Sequence, residues 1–132
     1  MTLRTRSILS PGVPGEGLRI SVMSRHTLGD GVTPHPDIGR ETYDAHWQIL
    51  APPAKLIGDF CKRGLAWEEF AVRFAEHLCG TAVQDAVFRL LALAVDGNVV
   101  LLCVEDTPHR CHRRLLAEEC LRLKPDLAVR IG

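Results

Sequence analysis

Apolar side chains at Leu18, Ile20 and Val22 alternate with the polar Arg19 and Ser21. A period of two is the mark of a strand with one buried face, and it predicts a strand over residues 18–24. Residues 99–104, Val-Val-Leu-Leu-Cys-Val, are apolar without a break. A run of that length suits a strand covered on both faces, as in a parallel sheet. Residues 3–9 predict a short edge strand, and residues 127–131 a final strand. Elsewhere the period lengthens to that of a helix. Phe70, Phe74 and Leu78 share one face of a predicted helix over 67–78, flanked by Trp67 and Ala71. Val83, Val87, Leu90, Leu91 and Ala94 form the stripe of another over 83–95, with Thr81 as its N-cap. A shorter helix follows Pro53 through Cys61 and stops near Gly64. The last is opened by Pro108, capped by Thr107 or Asp106, and runs to Leu123.

Residues 10–17 carry a dense turn signal, and residues 25–53 are rich in Gly, Pro and His. Loops that long inside a compact domain tend to be lids or binding segments. Within this one, residues 41–50 predict a helical turn or two, with Tyr43 and Trp47 meeting at i, i+4. The element order predicts a single α/β domain over residues 1–132. Its small, mostly parallel sheet is expected to carry helices on both faces.

Composition narrows the function only a little. Of 132 residues, 46% are hydrophobic and 24% charged, as in a packed soluble domain. Sixteen basic and sixteen acidic residues leave a formal net charge of zero. Bulk charge therefore gives no argument for nucleic-acid or anionic-membrane binding. The basic start lacks an apolar stretch behind it, so no secretory signal is expected. No run approaches the roughly 20 apolar residues of a membrane span. Five cysteines lack framework spacing, so reduced thiols and a cytoplasmic location are expected. Cys61, Cys79 and Cys120 are expected to be core, and His35, His46 and His77 surface or loop residues. Trp47, Tyr43 and Trp67 either cover a pocket or simply pack.

In open parallel sheets, ligands bind beyond the carboxyl ends of strands. Two segments qualify: Ser24-Arg25-His26, and residues 103–114. The second gathers two thiols, two acids, two imidazoles and three guanidiniums within twelve residues. A helix N-terminus beside arginines suits phosphate or carboxylate. The opposing view is that the arginines cover a surface and Cys103 is a small hydrophobe. A thiolate at Cys103 or Cys111 would gain from the helix end, with His112 as its base partner. Cys103 to Arg110 is C-x6-R without glycine, which does not suit the tight C-x5-R phosphate loop. Zinc on Cys103, Cys111 and His112, near Glu105, lacks C-x2-C or H-x3-H spacing, so no metal is expected. A Cys103–Cys111 redox pair fits a strand end, although it is not a C-x-x-C motif.

Leu101-Leu102-Cys103-Val104-Glu105 followed by Cys111-His112-Arg113-Arg114-Leu115-Leu116-Ala117-Glu118 resembles the domain-of-unknown-function 488 family, whose hallmark is a strand-end C-x-E and then C-H-R opening a helix. Ile20-Ser21-Val22-Met23-Ser24-Arg25 resembles its early strand ending in Ser-Arg. Leu50-Ala51-Pro52-Pro53 and Trp67-Glu68-Glu69-Phe70 resemble its L-A-P segment and W-E-E-F helix. The resemblance implies a compact bacterial or archaeal α/β protein and singles out Arg25, Cys103, Glu105, Cys111, His112 and Arg113. It implies no particular reaction, substrate or cofactor. Residues 26–31 depart from the family's usual Arg-Gly or Pro-Arg continuations.

The combined expectation is a polar site at the carboxyl end of the sheet. Arg25 and Arg113 would hold an anion, such as the phosphate of a small molecule, nucleotide or nucleic acid. Glu105 and His112 are the acid–base candidates. Cys103 and Cys111 would be nucleophile, redox pair or site-shaping groups. Two rivals remain: a ligand-binding module without turnover, and a structural network joining strand to helix.

Overall fold

The computed structural model describes residues 1–132. Its strands are β1 (Thr2–Ser7), β2 (Leu18–Ser21), β3 (Ala45–His46), β4 (Val99–Cys103) and β5 (Ala128–Ile131). Its helices are α1 (Ala54–Lys62), α2 (Trp67–Leu78), α3 (Thr81–Asp96) and α4 (His112–Leu123). The sheet order is β3-β2-β4-β1-β5 and every pairing is parallel. This is the single-domain α/β fold that the periodicities predict.

All five residues of β4 are buried. Val99 and Leu101 enter the larger core, where they meet Leu56 of α1, Phe70, Phe74 and Leu78 of α2, the α3 stripe, and Leu116, Ala117 and Cys120 of α4. Val100 and Leu102 enter a smaller core with Ile8, Met23 and Ile38, against which Tyr43 packs. The core residues that the four helices contribute all belong to the larger core. The smaller core is built from strand ends and the long connection after β2, which contains no α-helix.

That connection differs from the predicted helical turns at 41–50. Short 3-10 turns at Arg40–Thr42 and Gln48–Leu50 flank β3 instead. The extended β3 backbone separates Tyr43 from Trp47. Tyr43 lies 4.7 Å from the His26 ring, and Trp47 packs on the larger core.

Four other expectations are corrected. The strand expected at an edge, β1, lies between β4 and β5. Its Leu3 and Thr5 are almost fully buried, while Arg4 and Arg6 lie on the other face. Thr81 begins α3, whose N-cap is Gly80 without a side-chain cap. The final helix begins at His112 rather than Pro108, with Cys111 as its N-cap. Arg114 holds the preceding turn by donating to the Pro108 and His109 carbonyls, at 3.1 and 3.0 Å. Cys61 and Cys79 are exposed, while Cys120 is buried as expected. Cys61 lies five residues beyond the buried Leu56, on the far side of α1, and Cys79 follows the last residue of α2. No single helix is long and apolar enough to cross a membrane.

Glu16 ties the turn between β1 and β2 to both strands. Its carboxylate, 3% exposed, accepts from Arg6 and Arg19. Burial pushes this carboxyl up, but the Arg19 and Arg6 hydrogen bonds outweigh that and hold it below the usual carboxylate range. A folded-state pKa below the unfolded one stabilises the fold above the unfolded value, and the contribution fades as pH falls through the folded one. Glu16→Gln is therefore expected to lower the unfolding free energy at neutral pH by about 1.5–3 kcal/mol, the worth of a charged hydrogen bond. The gap from the parent should close on acidification in urea titrations. A gap independent of pH would contradict this account.

Candidate functional site

Because β2 and β4 are parallel and paired Ser21 to Leu102, their carboxyl ends leave the sheet side by side. The pairing continues one step, with the Val22 N–H donating to the Leu102 carbonyl at 3.0 Å. Beyond it, the carbonyls of Val22, Met23 and Ser24 each accept from a side chain. The donors are His112 Nε2 at 2.7 Å, His46 Nε2 at 2.6 Å and Gln48 Nε2 at 2.7 Å. Those three bonds hold the chain that carries Arg25. Beside it, β4 ends on Cys103, and the turn before α4 brings Cys111 back to the same place.

Four side chains meet there. Glu105 Oε2 accepts from Cys103 Sγ at 2.9 Å and from Cys111 Sγ at 3.2 Å. His112 Nδ1 lies 3.8 Å from Cys103 Sγ. Since the Val22 carbonyl only accepts, His112 Nε2 carries a proton, so that whenever the ring is neutral its Nδ1 lone pair faces the sulfur. The ring also stands edge-on to Phe74, with centroids 5.7 Å apart. Adjacent positions within a helix point about 100° apart. Cys111 is extended (φ −134°, ψ 137°) and lies outside α4, which lets its sulfur and the His112 ring converge.

The cluster's protonation follows from this crowding. Burial pushes the Glu105 carboxyl up, but the Cys103 and Cys111 thiols outweigh it, and the net shift is downward. The Cys103 contact, and then burial, push the Cys111 thiol far up, so it stays protonated at neutral pH. Burial pulls His112 down. Its contact with Cys111, the Val22 carbonyl and the Glu105 charge more than reverse this, and the net shift is upward.

The cluster opens onto a cavity of about 350 Å3. Cys103, Glu105 and His112 lie on its wall, with the aromatic Phe60, Trp67 and Phe70. Arg25, Lys62 and Arg110 bring three cationic side chains to the same space. The exposed Arg25 also donates to the Gly31 carbonyl at 3.1 Å. Of Trp47, Tyr43 and Trp67, which the sequence left between covering a pocket and packing, Trp67 lines the cavity.

Arg113 is placed differently from the sequence expectation. It is 0% exposed and does not line the cavity. Its Nη1 donates to the Glu105 carbonyl at 2.8 Å and to Cys111 Sγ at 3.4 Å, while Nε and Nη2 reach the Gly132 carbonyl at 3.4 and 3.3 Å. Because α4 starts at His112, Arg113 falls in its first turn facing inward, and the guanidinium expected to meet an anion fastens the Glu105 loop to the end of β5. Cys111 is likewise sealed, 1% exposed, behind Cys103 and Glu105.

Residues not singled out from sequence complete the site. Arg110 stood inside the charged segment, but its orientation depends on the turn at 109–110. Lys62 and Phe60 come from the end of α1, and nothing local marks them. His26 and His46, 4.3 Å apart between rings, hold the long connection beside β2, where His26 Nε2 shares a 2.7 Å hydrogen bond with Ser21 Oγ.

Arg113→Met is expected to cost about 1.5–3 kcal/mol, because it removes the charged hydrogen bonds that the buried guanidinium donates to the Glu105 and Gly132 carbonyls. Arg113→Lys should not restore the loss, since an ammonium cannot span both carbonyls as a planar fork does. Denaturant unfolding of the three proteins checks this, and full rescue by lysine would refute the bridging role.

No curated protein and no solved structure matches the chain. A family model described as the active DUF488-N3 subclade matches residues 3–124, nearly the whole length. The matched stretch contains both the C-x-E strand end and the C-H-R helix start, and the chain belongs to the DUF488 family.

Proposed function

We propose that this protein is an enzyme that takes an anionic, ring-bearing small molecule into the cavity at the carboxyl end of its sheet. A nucleotide or related phosphate ester has the matching chemistry. The observation that carries the reading is the division of that one cavity into three parts: an aromatic wall, a cationic set, and the Cys103–Glu105–His112 centre. Its volume of about 350 Å3 falls within the range of about 300–1,000 Å3 common for small-molecule sites. Phe60, Trp67 and Phe70 offer ring faces to a planar group. Arg25, Arg110 and Lys62 offer charge to a phosphate.

Glu105 and His112 are the proton-transfer groups, and Cys103 is the one thiol of the cluster that lines the cavity. Matching a subclade described as active supports turnover over simple binding. The burial of Cys111 and Arg113 supports a rigid floor behind the reacting groups rather than further substrate contacts.

Binding and turnover are tested separately. The chain has two tryptophans, so a Trp47→Phe background isolates Trp67 fluorescence for titration with a panel of nucleoside monophosphates. At least one should quench it, and Arg25→Ala and Arg110→Ala should each weaken binding about tenfold, or about 1.4 kcal/mol. Glu105→Gln should retain binding and lose turnover of the nucleotide that binds. Undiminished affinity in both arginine variants would remove the anion-binding role. Retained binding with no turnover by the parent protein would favour a ligand-binding module.

A further inference from the structure

We propose that Cys103 Sγ, Cys111 Sγ and His112 Nδ1 bind a zinc ion, with a fourth coordination position open to the cavity. This deepens the preceding reading, from which it takes the location of the centre. It assigns the Cys103 sulfur and the His112 ring to the metal, which leaves Glu105 as the proton-transfer group of the centre.

The three donor atoms lie within 4.8 Å of one another, and all three residues are buried. Tetrahedral zinc bonds of about 2.3 Å to sulfur and 2.0 Å to nitrogen place a sulfur and a nitrogen ligand about 3.5 Å apart. Cys103 Sγ and His112 Nδ1 are already 3.8 Å apart. Two thiolates and an imidazole are a donor set that selects zinc over magnesium or calcium, which favour oxygen.

The surroundings supply what such ligands need. A metal-bound histidine nearly always donates its other ring N–H to a carbonyl or carboxylate. Here the Val22 carbonyl takes His112 Nε2–H at 2.7 Å, which presents the Nδ1 lone pair to the sulfurs. Arg113 Nη1 donates to Cys111 Sγ at 3.4 Å, a hydrogen bond that the sulfur can keep as a ligand. Cys103 and His112 line the cavity, so a cation has an approach path and the fourth position has room for water or an anionic oxygen. Glu105 stands beside both sulfurs at 2.9 and 3.2 Å.

Charge points the same way. Two thiolates and the Glu105 carboxylate carry three negative charges, which a divalent ion and the buried Arg113 balance. Binding releases two thiol protons to solvent and leaves His112 neutral. The spacing C-x7-C-H lacks the paired ligands of a structural zinc finger. It suits an open site, in which three protein ligands leave one position for water or substrate.

The test is elemental analysis of the full-length protein purified without chelator, followed by cobalt titration of stripped protein. One zinc per chain is expected, and cobalt should develop a thiolate-to-metal charge-transfer band with the intense visible bands of tetrahedral geometry. The band should vanish in Cys103→Ser and Cys111→Ser, and survive in a Cys61→Ser/Cys79→Ser double variant, which removes the exposed thiols. X-ray absorption of the unmutated zinc protein should show two sulfur neighbours and at least one nitrogen, a readout that does not depend on any variant folding. Trace zinc together with no cobalt band in protein of unchanged circular dichroism would overturn the proposal, as would a band that persists without Cys103 and Cys111. Nucleotide quenching of Trp67 is scored separately. Zinc without nucleotide binding would defeat the substrate reading alone, and nucleotide binding with no metal uptake would defeat the zinc site alone.

Discussion

Burial of β4 on both faces and along both edges is the constraint from which the rest of this structure follows. Val99 through Cys103 are each at most 3% exposed, and β1 and β2 occupy both edges in parallel. A slip of one residue would exchange Val99 and Leu101 with Val100 and Leu102 between two different cores, so the register is strongly held. With register and direction set, Ser7, Ser21 and Cys103 finish near one edge of the sheet. The chain must then turn away into polar loops at that edge. The chemistry gathers where the apolar pattern ends.

A dense polar cluster next to such a core is costly unless its groups are paired. Here the pairing is nearly complete. Arg113 meets two backbone carbonyls and a sulfur, His112 meets the Val22 carbonyl, and both thiols meet Glu105. The one buried side-chain nitrogen or oxygen without a partner is Arg4 Nε, on β1. Most of these bonds close the loop between β4 and α4, and one of them ties it across the chain, from His112 to Val22, 90 positions away. The site is consequently part of the tertiary fastening of the domain, and its geometry is held as firmly as the sheet. The cavity side is built differently. Arg25 and Arg110 are exposed residues on loops, free to adjust to a ligand in a way that Arg113 is not.

Much of the frame was legible one segment at a time. The unbroken run at β4 and the spacing of Phe70, Phe74 and Leu78 locate their elements to within a residue or so, because burial imposes a period that local sequence must obey. The start of α4 was not legible, since Pro108 is an equally good first helical residue and only the return of Cys111 to the end of β4 delays the helix. The interior place of β1 was hidden by Arg4 and Arg6, which lie along one face while Leu3 and Thr5 fill the other. Among the site residues, Cys103, Glu105 and His112 were marked by their concentration after a strand end. Lys62 and Phe60 carry no such mark, because their role comes from where α1 packs.

By itself the amino-acid order determined the element types, the central strand, and the short stretch in which thiol, carboxylate and imidazole accumulate. Each of these depends on interactions among neighbours in the chain or on a periodic need for burial. Only the folded molecule decided which charges face the cavity. Arg25 and Arg113 look alike as sequence candidates, but helix phase and the nearby Glu105 and Gly132 carbonyls draw Arg113 inward, while Arg25 stays at an open loop. Side-chain direction is set by contacts across the fold, so the distinction between a binding arginine and a bracing one exists only once those contacts have formed.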